Sequence, residues 1–140
     1  MTPGRVILSV SPFACDHESV HDGAGACTCR VVHANTLAEA RRMLTRLDIC
    51  LVVCERDLPP GTWVDLFEQL RERPNPPLLI VTSRLADDRL WAEALNLGAW
   101  DVVAKPFVAH EIATAIEQAW SHWSFQQTRI DCNSAGRSTE

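Results

Sequence analysis

The stretch Ala94-Leu-Asn-Leu-Gly-Ala-Trp-Asp-Val-Val-Ala-Lys-Pro-Phe107 decides the fold. It begins inside a helical pattern that runs from about Asp87 to Leu97, with Leu90, Ala94 and Leu97 as its core face. Gly98 falls where a left-handed C-terminal cap belongs. Asp101-Val-Val-Ala104 then reads as a short strand, and it stops at Lys105-Pro106. A helix, a tight turn, a strand and a polar strand end therefore follow one another within a few residues, as in a βαβ unit.

The same alternation extends outward along the chain. Val6–Val10, Cys29–His33, Ile49–Cys54 and Leu78–Val81 are four more short runs rich in β-branched and aliphatic residues. The third and fourth are apolar without alternation, the pattern of central parallel strands covered on both faces. Between them lie capped helices. Thr36-Leu-Ala-Glu39 precedes Ala40, Met43, Leu44 and Leu47, and Thr62-Trp-Val-Asp65 starts a helix whose stripe is Trp63, Leu66, Phe67 and Leu70, with Pro74 and Pro76-Pro77 ending it. The last helix begins near Val108 and places Ile112, Ile116, Ala119, Trp120 and Trp123 on one face. Pro12 to Ala26 is poorer in large apolar residues, and Gly23 and Gly25 predict a short or irregular first helix. The expected class is α/β: a doubly wound five-stranded parallel sheet with helices on both faces.

Composition narrows the possibilities. A chain of 140 residues, 46% hydrophobic and 22% charged, supports one core and not two domains. Residues 1-126 are expected to form the domain and 127-140 a polar tail, with Asn133 onward beyond the last helix. Thirteen basic residues against eighteen acidic give −5, and the arginines are scattered, so a nucleic-acid surface is not expected. No apolar run approaches a membrane span or a signal-peptide core, which places the chain in the cytoplasm with its six cysteines reduced. Lys105 is the single lysine, against twelve arginines.

In an open parallel sheet the C-terminal strand ends form the functional edge. The first strand leaves through Val10-Ser11-Pro12, the third through Glu55-Arg56-Asp57-Leu58-Pro59, the fourth through Thr82-Ser83 and the fifth through Lys105-Pro106. A carboxylate, a hydroxyl and an ammonium meet there.

From Arg5 to Trp123 the sequence resembles the CheY-like receiver domain of bacterial two-component response regulators. The segment Ala94–Phe107 is similar to that family's link from fourth helix to fifth strand, whose Lys-Pro bond is usually cis. The resemblance implies a flavodoxin-like strand order 2-1-3-4-5. It puts Thr82 at the switch hydroxyl, Lys105 at the site lysine, and Glu55 at the phosphoacceptor position, three and four residues before Leu58-Pro59. The family acceptor is Asp, so Glu55 carries its carboxylate about 1.5 Å further out. The acidic pair that binds Mg²⁺ in the family is absent at Val10 and Ser11, so magnesium binding is expected to be weak or absent, with no cofactor. The aromatic switch position is Val102, and Trp63 replaces a glycine.

The reading is a stand-alone pseudo-receiver: a phosphorelay signalling module, not an enzyme, with no catalytic residue and without phosphorylation at Glu55. It acts by protein–protein contact with a histidine kinase or a downstream regulator. Glu55, Thr82 and Lys105 are either that signalling constellation or a buried polar cluster holding loops together. Trp91, Trp100 and Trp123 are interface candidates for a partner or a homodimer through the helix 4, strand 5 and helix 5 face. Two alternatives stand beside this reading: a working receiver phosphorylated on Asp57 with Mg²⁺, and a metal-binding interaction protein using Cys15, His17, His21, Cys27 and Cys29.

Overall fold

The computed structural model describes residues 6–26, 30–73 and 76–138. Five parallel strands form the main sheet: β1 (Val6–Val10), β2 (Arg30–Ala34), β3 (Ile49–Glu55), β6 (Leu78–Ser83) and β7 (Asp101–Ala104), in the order β2-β1-β3-β6-β7. This is the doubly wound order expected of the fold. A two-stranded antiparallel ladder, β4 (Asp57–Leu58) and β5 (Gly61–Thr62), follows β3. The helices are α1 (Ala14–Gly23), α2 (Leu37–Arg46), α3 (Trp63–Arg71), α4 (Asp88–Leu97) and α5 (Ala109–Ser138).

Strand side chains alternate between two cores. Val6, Leu8, Val10, Val52, Cys54 and Val81 pack with Leu44, Leu66 and Leu90 under α2, α3 and α4. Ile7, Leu51, Val53 and Ile80 pack with Val20, Ile112 and Ile116 under α1 and α5. Cys50 and Cys54 are buried cysteines that form no disulfide, one in each core.

Local chemistry sets the helix ends. Thr62 Oγ1 accepts from the Val64 N–H at 3.3 Å while Asp65 Oδ2 accepts from the Thr62 N–H at 2.9 Å, a reciprocal cap. At α2, Thr36 Oγ1 accepts from the Glu39 N–H. Asp87 caps α4 by accepting from the Leu90 N–H, and Gly98 ends it with φ of 112°.

Several expectations need correction. The first helix is regular for ten residues. Its Gly23 is a packing residue, since a Cβ there would lie 3.2 Å from Ile112 Cγ2, so the glycine lets α1 approach α5. Leu97 is 40% exposed, leaving Leu90 and Ala94 as the buried face of α4. The last helix runs to Ser138, past Asn133, because no proline interrupts that segment. Trp123 is buried at 8% exposure in the α1–α5 core and is therefore a core residue, not a surface anchor.

Candidate functional site

The parallel register brings the polar strand ends to one level. Glu55 is opposite Thr82, and Thr82 is opposite Val103 two positions before Lys105. The loops are tied by backbone bonds, from the Arg56 N–H to the Thr82 carbonyl at 2.8 Å and from the Lys105 N–H to the Ser83 carbonyl at 2.9 Å. The Lys105–Pro106 bond is cis, as is Pro59–Pro60.

Lys105 is the centre. Its Nζ lies 2.6 Å from Glu55 Oε2 and 2.8 Å from Asp16 Oδ2. Thr82 Oγ1 donates to the same Glu55 oxygen at 3.4 Å. Ser11 Oγ donates to Asp16 Oδ2 at 2.6 Å and itself accepts from the Phe13 N–H at 3.1 Å. Glu55, Asp16, Thr82, Ser11 and Lys105 are all buried. The Phe13 ring covers the ammonium, its centroid 4.8 Å from Nζ, and the Arg84 guanidinium lies 6.0 Å from the same ring.

Sequence reasoning missed Asp16. With Glu55 as the only carboxylate at Lys105, the centre would be neutral, whereas two carboxylates face one ammonium. The missing acidic function at Val10 and Ser11 is thus partly supplied from the first turn of α1. The available signal was an acidic residue at a helix start directly after the first strand, in a segment whose glycines argued against helix. Phe13 was equally unassigned as a cover for the site.

The electrostatics follow from burial and crowding. Desolvation raises the Glu55 pKa above 4.5, and the charge of Asp16 adds to it, while Lys105 and Thr82 pull it down. Burial alone would lower Lys105, but its bonds to Asp16 and Glu55 and their charges raise it above 10.5.

This donor set does not suit a divalent ion. Both carboxylates turn an oxygen to the same ammonium, and among the described residues no group of three or more His, Cys, Asp or Glu is placed to hold a metal. That also bears on the Cys/His segment. Cys27 and Cys29 lie outside the described residues. Cys15 is exposed, and His17 spends both ring nitrogens within the protein, Nδ1 on Ser9 Oγ at 2.8 Å and Nε2 on the Ser11 carbonyl and Asn35 Oδ1.

The remaining candidates are dispersed. Asp57 is exposed on the β4–β5 ladder and pairs with Arg56 at 3.9 Å. Val102 is buried in the core under α4. Trp91 is 37% exposed, and half-buried Trp100 stacks on His122 with centroids 4.4 Å apart.

A five-stranded parallel sheet in the order β2-β1-β3-β6-β7, carrying a carboxylate, a hydroxyl and a lysine at its C-terminal edge, defines a receiver-type signalling domain. The family model described as the response regulator receiver domain matches residues 23–117, and the chain belongs to that family. Among relatives, it is 29% identical over 82 residues to the transcriptional regulatory protein DpiA of Escherichia coli strain K12, covering 59% of this chain and 36% of DpiA. It is 30% identical over 105 residues to the transcriptional regulatory protein YcbL of Bacillus subtilis strain 168, covering 74% of this chain and 43% of YcbL. The chain thus spans less than half the length of these two relatives. In fold it is similar to the signal receiver domain of an HD domain-containing protein from Pseudomonas fluorescens Pf-5, with a TM-score of 0.80 at 21% identity over 92% of this chain and 96% of that one. Chemotaxis response regulator CheY4 of Vibrio cholerae superposes with a TM-score of 0.74 at 14% identity, over 83% and 98% of the two chains. No helix among the described residues is long and apolar enough to cross a membrane.

Proposed function

We propose that this receiver domain signals by protein contact and is not switched by a phosphoryl group on residue 55. One observation carries the reading. Glu55 and Asp16, the two carboxylates at the Lys105 ammonium, both turn an oxygen to it, which leaves no carboxylate set, among the described residues, for the Mg²⁺ that would neutralise charge during phosphoryl transfer. Glu55 in place of Asp, and Val102 in place of an aromatic residue, remove the acceptor and the ring that a phosphorylation-driven switch would use. The partner is a histidine kinase or a downstream regulator, and the docking surface is the one formed by α4, β7 and α5, where Trp91 and Trp100 lie.

Asp57 is the competing acceptor, because it lines the same mouth as Glu55 and Lys105. Intact mass after incubation with Mg²⁺ and acetyl phosphate separates the two readings, with a Glu55→Asp variant alongside. An unchanged wild-type mass supports the present reading. A phosphoryl adduct on the wild type overturns it, and peptide mapping to Asp57 would assign the acceptor there.

A further inference from the structure

Beside the strand-end site, α4, β7 and α5 enclose an open cleft of about 460 Å³. Its floor is made of small residues, Val102, Ala104 and Ala115, and Trp91 forms a wall. Asp101 also lines the cleft. It is partly buried, its Oδ1 accepts from the Val102 N–H at 2.8 Å, and among the described residues no cation forms an ion pair with it. Desolvation raises its pKa, and the bond from the Val102 N–H only partly offsets that.

The charge of the surrounding surface is one-sided. From Asp87 to Gln126 the chain carries six carboxylates against Arg89 and the buried Lys105, a net −4 out of −5 for the whole chain. Asp87, Asp88, Glu93, Glu111 and Glu117 are all exposed. Two copies of this face would repel one another, so charge complementarity selects a basic partner over a second copy. An indole wall next to Asp101, in a cleft that His110, Glu111, Thr114 and Gln118 also line, suits a planar cation.

We propose that the cleft receives an arginine side chain of a basic partner protein, its guanidinium set against Asp101 and stacked on Trp91. The inference rests on the docking reading above for its choice of face. It is measured separately from phosphorylation, so failure of either can be told apart.

The test uses the full chain, ¹⁵N-labelled, titrated with benzamidine as a planar cationic probe and with benzamide as its neutral counterpart. Benzamidine is expected to shift the Trp91 indole and the amides of residues 101–104 and Thr114 in a saturable way, with benzamide about tenfold weaker or more. Asp101→Asn should weaken benzamidine by about tenfold, and the exposed Glu111→Gln by less. Equal binding of both probes, shifts elsewhere, no shifts, or indifference to Asp101→Asn would overturn the proposal. So would a concentration-dependent dimer in sedimentation that benzamidine dissolves, since the occupant would then be a second copy.

Discussion

Asp16 and Lys105 stand 89 positions apart in the chain, yet their side chains meet at 2.8 Å in the interior. The pair joins α1 to the end of β7, and Glu55 joins β3 to the same ammonium. Three segments of the functional edge are therefore tied by one cation. Removing that cation leaves two buried carboxylates facing each other, which costs far more than the pair gains over an apolar replacement.

Lys105→Met keeps the aliphatic stem and deletes the charge. It should destabilise the domain by about 3–5 kcal/mol in urea unfolding at neutral pH. Adding Glu55→Gln removes one of the two uncompensated charges and should restore part of that loss. If the double variant is no more stable than Lys105→Met, Glu55 is not electrostatically coupled to the lysine.

The pH dependence of Glu55 has a definite sign. Its folded pKa lies above 4.5, so the folded state holds the proton more tightly than the unfolded chain. The contribution of Glu55 to stability is then greatest below 4.5 and declines as pH rises through the folded value. Lys105, raised above 10.5, keeps its contribution throughout this window and loses it only in alkali. Relative to Glu55→Gln, the wild type should lose stability as pH increases from about 4.5 toward neutrality. A difference that grows with pH instead would place the folded pKa below the unfolded one.

Gly98 tests the turn between α4 and β7. Its φ of 112° is unfavourable for a side-chain-bearing residue, and a Cβ would stand 3.2 Å from Phe67 Cζ. Gly98→Ala should cost about 1–2 kcal/mol in thermal or urea unfolding. A neutral effect would mean that the turn relaxes out of the left-handed region.

The fold was legible because its signals are local: apolar strands of four to six residues, capping boxes at Thr36 and Thr62, and the glycine cap at Gly98. Glu55, Thr82 and Lys105 could be placed together because each lies at or next to a strand end, and parallel register aligns strand ends. Asp16 could not, since it reaches the site from a helix, and nothing in local spacing says which turn of α1 faces inward. Two glycines there read as helix breakers, while one of them serves the close contact with Ile112. Trp123 failed for a related reason: aromatic residues near the end of an amphipathic helix look the same in sequence whether they face a core or a partner.

Phe13 should govern how dry the site is. Its ring lies over Lys105 Nζ at 4.8 Å, yet 45% of the residue is exposed, so it acts as a cover and not as a core anchor. Phe13→Ala removes a cation–π contact of about 0.5–2 kcal/mol and admits water to Glu55. Stability should fall by about 1 kcal/mol, within that range. Weaker desolvation should also lower the Glu55 pKa toward 4.5, read from the side-chain carboxyl carbon shift during a pH titration. Phe13→Leu restores apolar cover without a π face, so it should recover most of the pKa while leaving the stability loss only partly repaired. If Phe13→Ala moves neither quantity, the ring rests on the site without shielding it, and the burial of Glu55 is due to the strand ends alone.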